Sequence, residues 1–213
     1  MKKKLYVAYG SNLNMSQMRY RCTGAMFVGS GEIVDHRLSF KGSPTSAVAT
    51  VEAAAGMTVP VGVWKITPPD EIALDIYEGY PRLYQKETVP VHLASGRTVK
   101  AMIYVIDPKL LHGVPSAHYY QTLREGYMDC GLEIKFLNEA VAFSSEMYAK
   151  EIEMNGFTDC GFWNRQRSLD DDFAICGREL GESVLPEEED DEEPGENELF
   201  DDTDGIRFRF NGM

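Results

Sequence analysis

The sequence predicts an α+β fold, with a small, mostly antiparallel or mixed barrel-like sheet and helices on its flanks. Three observations carry this reading. Short β-type runs outnumber the helical stretches along the 213 residues. The helices are interspersed among the strands rather than alternating with them, which disfavours a doubly wound parallel sheet. Apolar residues make up 43% of the chain, enough for a packed core.

The elements follow in order. Leu5 to Tyr9 is a short apolar run that reads as a buried strand. It ends in Gly10-Ser11-Asn12, a glycine followed by two residues favoured at helix N-termini. Asn14 to Arg21 then reads as a short helix carrying Met15, Met18 and Arg19. Ala25 to Phe40 is strand-like, with Asp35-His36 as a turn, and Ala47–Ala53 and Val59–Ile66 are β-type runs separated by Gly56. Thr67-Pro68-Pro69-Asp70 has the composition of a helix start: a cap, two prolines and an acid. The helix runs from about Asp70 to Tyr77, with Ile72, Leu74 and Ile76 among its apolar positions, and Gly79 and Pro81 end it.

Val89–Leu93 and Thr98–Ile106 form a hairpin around Ser95-Gly96-Arg97. Pro115-Ser116 opens a further helix whose Tyr119, Leu123 and Tyr127 share one face, and Asp129-Cys130-Gly131 closes it. Glu133 to Glu153 reads as a last helix. Residues 1–154 therefore make one domain. Residues 155–185 are read as a partly ordered extension, and 186–213 as an acidic, flexible tail that includes the strand-like alternation of Gly205–Phe210.

Charge and cysteine usage narrow the function. Of the net −13, 12 negative charges lie between Glu187 and Asp204, a stretch without Lys or Arg, which leaves −1 for the rest. A nearly neutral body excludes a nucleic-acid footprint, and Lys2-Lys3-Lys4 is too short to make one. Cys22, Cys130, Cys160 and Cys176 lack CxxC or metal-type spacing and are read as free thiols of a reducing, cytoplasmic compartment. His36, His92, His112 and His118 do not cluster with them, so no metal site is expected. The apolar run before Gly10 is too short for a secretory segment, and no stretch reaches membrane-spanning length.

Two segments carry chemistry. A strand that stops at Gly10-Ser11-Asn12 before a helix leaves backbone N–H donors pointing one way, suited to a carboxylate or a polarised carbonyl. Glu78 sits at the end of the 70–77 helix among Tyr77, Tyr80 and Tyr84. The helix dipole and aromatic surroundings both raise a carboxyl pKa there, toward the range useful for proton transfer.

Together these pieces resemble the gamma-glutamylcyclotransferase superfamily, which includes the gamma-glutamylamine cyclotransferases. Tyr9-Gly10-Ser11-Asn12-Leu13 stands for its YGSN loop, and Asp35–Phe40 for the end of its next strand pair. Val61–Trp64 resembles the strand before its catalytic helix. Leu74-Asp75 with Glu78-Gly79 matches its LDxxEG element, followed by Tyr84. Pro115-Ser116, Tyr119, Gly126 and Gly131-Leu132 resemble its late helix. The resemblance spans most of 5–132 and implies a small mixed β-barrel with its cavity at the loop. It also implies release of 5-oxoproline from a gamma-glutamyl amine or peptide, without metal or organic cofactor.

Under that resemblance Glu78 is the general acid and base. Tyr9, Gly10, Ser11, Asn12, Leu13, Tyr84 and Tyr119 bind the substrate, a small gamma-glutamyl molecule. The alternative reading is a non-catalytic module that binds a small carboxylate and recruits a partner through the acidic tail. Nothing in the tail sequence names that partner.

Overall fold

The computed structural model describes residues 3–155. Apart from Asn155, the extension expected at 155–185 lies outside the described residues, as do the tail at 186–213, Cys160 and Cys176.

Five strands close into a barrel: β1 (Lys4–Ala8), β2 (Met26–Lys41), β3 (Val48–Ile66), β4 (Tyr84–Leu93) and β5 (Thr98–Ile106). The order around it is β1-β3-β2-β4-β5. Four neighbouring pairs are antiparallel. The exception is β1 against β5, a parallel pair at Tyr6–Met102 that closes the ring. Closure removes the unpaired edges that an open sheet would present. The core is aliphatic and aromatic, with Val7, Phe40, Val59, Val61, Val63, Val91 and Ile103 excluded from solvent.

The two breaks expected at Asp35-His36 and at Gly56 turn out to be one feature. β2 and β3 are each continuous, so neither is a turn between strands. Their register jumps between Val34–Thr58 and His36–Ala53, leaving residues 54–57 opposite Asp35. Asp35 and Gly56 both adopt positive φ, at 56° and 77°, and the Gly56 N–H donates to Asp35 Oδ1 at 2.9 Å. Turn-forming residues here make paired irregularities in one long antiparallel ribbon.

Among the described residues four helices flank the barrel: α1 (Met15–Arg21), α2 (Pro68–Tyr77), α3 (Ala117–Asp129) and α4 (Ile134–Asn155). Asn14 caps α1 by accepting from the Gln17 N–H. Thr67 and Asp70 form a reciprocal capping box at the start of α2, with prolines in its first turn. Asp70 Oδ1 also accepts from the Gly24 N–H at 3.0 Å, tying the end of the α1 loop to this helix start.

Both α2 and α3 end in the same way. After α2 the Gly79 N–H reaches Ile76 O and the Tyr80 N–H reaches Asp75 O. After α3 the Gly131 N–H reaches Met128 O and the Leu132 N–H reaches Tyr127 O. Each is a Schellman turn with a left-handed glycine, at φ 61° and 65°. Of the apolar α2 positions, Leu74 is buried but Ile72 and Ile76 are 62% and 66% exposed. Alternate spacing cannot hold three residues on one helix face.

α4 lies along β2 and is fastened near its end by a polar cluster. His112 Nδ1 meets Glu151 Oε1 at 2.7 Å, and the His112 backbone N–H donates to Glu151 Oε2. His112 Nε2 stands 3.6 Å from Glu52 Oε1, an ion-pair distance rather than a hydrogen bond. Lys41 Nζ lies 3.3 Å from Glu52. Burial opposes a charge on His112, but the flanking carboxylates outweigh it and raise its pKa above the ordinary 6.5. Burial acts against the Glu52 charge too, and His112 and Lys41 outweigh it, lowering that pKa below 4.5.

The signs define a window. The His112 contribution is complete below about 6.5 and is lost as pH rises through its higher folded value. The Glu52 contribution is present above 4.5 and is lost as pH falls through its lower folded value. His112→Ala is therefore expected to cost about 2 kcal/mol at pH 6, as for hydrogen bonds to charged groups. The gap to wild type should narrow by pH 9. Urea unfolding at both pH values checks this, and a gap independent of pH would refute it.

Candidate active site

Strand directions bring the functional segments to one end of the barrel. β1 and β5 run parallel and finish at the same end. β4 begins there, because Tyr84 pairs with Ile106. The Ile106 N–H donates to Thr50 Oγ1, which puts the early part of β3 at this end as well. The chain leaving β1 turns through a single 3-10 turn, Ser11–Leu13, closed by Leu13 N–H to Gly10 O and Asn14 N–H to Ser11 O. Among the described residues the Ser11 and Asn12 N–H groups have no acceptor, as the first donors of a helical turn generally do not.

Glu78 occupies the C-cap of α2 and is held there by the Schellman turn at Gly79. Its Oε1 accepts from Asn12 Nδ2 at 2.9 Å. The same Nδ2 donates to the Tyr6 hydroxyl at 2.9 Å. On the other side of the amide, Asn12 Oδ1 accepts from an Arg21 guanidinium nitrogen at 2.8 Å. Ser11 Oγ and the Tyr77 hydroxyl share a hydrogen bond of 2.9 Å. The carboxyl belongs to a half-buried residue whose surroundings are tyrosine rings and amides. Burial raises the Glu78 pKa, with Arg21 and the Asn12 hydrogen bond pulling against it, and the balance rests at about 7.

Tyrosines wall this carboxyl. Tyr9 donates to the Tyr104 carbonyl, and Tyr104 donates to Asp75 Oδ1. Tyr84 donates to the Ala49 carbonyl and Tyr119 accepts from the Ala49 N–H, each at 3.3 Å, so the two rings grip one residue of β3 from both of its peptide groups. Burial raises the pKa of Tyr6, Tyr9, Tyr84 and Tyr119, and the Glu78 charge adds to the effect. All four hydroxyls stay protonated at neutral pH and can donate. Gly10 leaves room for this wall, since a Cβ there would lie 3.3 Å from the Tyr119 hydroxyl.

Glu78, Tyr9, Gly10, Ser11, Asn12, Tyr84 and Tyr119 are thus brought together. Leu13 is not. Its side chain is fully buried in the core, with Cδ2 facing Gly62 and Cβ facing Gly126, so it anchors the turn from behind. Tyr80, expected beside Glu78, is 39% exposed and lies against Lys86. The left-handed Gly79 reverses the chain and turns Tyr80 away.

Tyr77, expected beside Glu78, joins the group through Ser11, whereas Tyr6, Arg21 and Tyr104 belong to it and escape sequence reading. The period-2 pattern of β1 marks Tyr6 only as a core position. Arg21 looks like a cation at a helix end. Cys22 and Cys130 are buried, with thiols pushed up to about 12, and stay inert. Among the described residues no group of His, Cys, Asp or Glu could hold a metal ion. No described helix is long and apolar enough to cross a membrane.

Residues 6–124 match the model of the family described as gamma-glutamyl cyclotransferase, AIG2-like. A solved gamma-glutamyl cyclotransferase superposes with a TM-score of 0.60 at 24% identity, covering 65% of this chain and 86% of its own. A human protein described as uncharacterized gives a TM-score of 0.60 at 26% identity, covering 66% and 87%. YkqA from Bacillus subtilis gives 0.59 at 19% identity, covering 69% of this chain and 56% of its own. No curated protein sequence matches.

The site depends on how closely α3 approaches the turn after β1. A Cβ on Gly126 would fall 2.6 Å from the Asn14 nitrogen and 2.7 Å from Leu13 Cβ, both rigid. Intrinsic helix preference favours Ala over Gly by about 1 kcal/mol. Gly126→Ala is nevertheless expected to lower stability by about 1–3 kcal/mol through overpacking. Thermal unfolding decides between the two, and a raised melting temperature would contradict the close approach.

Proposed function

We propose that this chain, which belongs to the gamma-glutamyl cyclotransferase, AIG2-like family, releases 5-oxoproline from a gamma-glutamyl amine or short gamma-glutamyl peptide, with Glu78 as general acid and base. Family membership supports gamma-glutamyl cyclotransferase-like activity at the coarse level. The observation that carries the finer reading is the Glu78 carboxyl. It lies half-buried among tyrosines, poised at about 7, and hydrogen-bonded to the loop whose Ser11 and Asn12 N–H groups are free of acceptors among the described residues.

The chemistry is intramolecular. The substrate's α-amine attacks its own γ-carbonyl carbon, forming the lactam C–N bond and placing negative charge on the carbonyl oxygen. Glu78 takes a proton from the attacking nitrogen and returns it to the nitrogen of the leaving amine, whose bond to carbon then breaks. Ionised and neutral forms are both accessible near a pKa of about 7, so one group serves both transfers.

The Ser11 and Asn12 N–H groups would hold the glutamyl carboxylate or the developing oxyanion, the latter worth about 3 kcal/mol. Tyr9, Tyr84 and Tyr119 would enclose the folded glutamyl chain. Holding amine and carbonyl in contact supplies several kcal/mol more. Residues 1–154 would carry the whole activity, acting on a small molecule.

The test is 5-oxoproline release from gamma-glutamyl-alanine, gamma-glutamyl-ε-lysine and glutathione by wild type and Glu78→Gln. The variant is expected to lose about 10²-fold or more in kcat while still binding substrate. Its melting temperature at pH 8 should hold or rise. Because the folded pKa exceeds the ordinary 4.5, stability from this group is greatest below 4.5 and declines as pH rises through about 7. Wild-type kcat/KM should fall as pH drops through about 7, where the base is protonated. Normal turnover by Glu78→Gln would remove it from the mechanism. Ligand binding without release from any substrate would favour a binding module.

A further inference from the structure

We infer that Arg21 is a positioning residue of this site: its guanidinium locks the Asn12 side-chain amide in the one orientation that presents an N–H to Glu78. The inference rests on the reading of Glu78 as the proton carrier for its functional meaning, but its physical content can be tested separately.

Arg21 is held from several sides. One terminal nitrogen donates to Asn12 Oδ1 at 2.8 Å, and the other donates to Gln17 Oε1 at 2.6 Å, one turn back on α1. The plane of the group lies over the Tyr77 ring, 3.7 Å from its centroid. Tyr77 precedes Glu78 directly, so the stack links α1 to the end of α2. Nε is buried and has no acceptor among the described residues.

The chemistry of the donors makes the orientation unique. Arginine only donates, so the Asn12 atom facing it must be the amide oxygen. The amide NH2 is then forced to the opposite side, where Glu78 Oε1 and the Tyr6 hydroxyl both lie at 2.9 Å. A flipped amide would set NH2 against a cation and oxygen against a carboxylate, two repulsive contacts in place of two attractive ones. Without Arg21 only the ionised carboxylate itself favours this orientation, and once Glu78 is protonated Asn12 can turn either edge to it. The positive charge also opposes the effect of burial on Glu78, so the same residue sets position and proton affinity. Arg21 reaches the carboxyl through Asn12 and touches neither it nor the reacting atoms.

The experiment follows the Glu78 carboxyl directly. A 13C NMR titration of glutamate-labelled protein, assigned with Glu78→Gln, is run on wild type, Arg21→Met and Arg21→Lys, alongside kcat and KM across pH. Arg21→Met is expected to raise the Glu78 midpoint by about one pH unit and to lower kcat by roughly 10-fold or more, with less change in KM. The acid limb of the rate profile should move with the midpoint. Arg21→Lys should restore the midpoint but not kcat, because one ammonium cannot serve Asn12 and Gln17 in the plane of the guanidinium.

A folded Arg21→Met protein with an unmoved midpoint and unchanged kcat would overturn the inference. If Arg21→Met does not fold, Arg21→Lys decides alone, and full kcat in it would be equally fatal. Should wild type release no 5-oxoproline, the functional reading fails, and the midpoint shift still decides whether Arg21 governs this carboxyl.

Discussion

The parallel pairing of β1 with β5 is the constraint on which the molecule depends. It is the one parallel contact in an otherwise antiparallel barrel, and it closes the ring. Because the two strands finish at the same end, Tyr9 leaves β1 beside Tyr104 near the end of β5. The turn after β1 then has nowhere to go but across that mouth. Had β1 paired in the other sense, the N–H groups of Ser11 and Asn12 and the carboxyl of Glu78 would lie at opposite ends of the barrel.

Glu78 is delivered to this mouth by local rules of helix ending. Thr67 and Asp70 start α2, and Gly79 stops it after ten helical residues in a left-handed turn. Those two signals set the phase of the helix, so the carboxyl at its C-cap faces Asn12. The site is costly to hold at neutral pH, since an ionised carboxylate among tyrosines is disfavoured by burial. Arg21 and Asn12 offset part of that cost, leaving a group that ionises near neutrality. Carboxyls perturbed in this way cluster at functional sites.

The tyrosines have a second role. Tyr9, Tyr84, Tyr104 and Tyr119 hydrogen-bond to backbone atoms or to Asp75, so their rings are fixed before any ligand arrives. A wall that is already ordered loses little entropy when it encloses a flexible ligand. Gly10 and Gly126 allow the close approaches that bring wall and loop together, one at the Tyr119 hydroxyl and one at the backbone of Asn14.

Local sequence carried the signals that depend on a few neighbouring residues. The cap at Thr67, the glycine stops at Gly79 and Gly131, the buried run of β1 and the shared face of Leu123 and Tyr127 are all short-range effects of backbone geometry and polarity. The α+β class and the association of Gly10–Asn12 with Glu78 were legible in the same way, through motif order. Non-local pairing decided the rest. Asp35 and Gly56 looked like separate turns because their meeting across 21 residues is a fact of strand register. Leu13 and Tyr80 were drawn toward the site by sequence proximity, yet packing sent one into the core and a left-handed glycine turned the other outward. Arg21 joined the site only because tertiary structure stacks α1 on the end of α2, and a cation's partner as distant along the chain as Tyr77 leaves no periodicity to read.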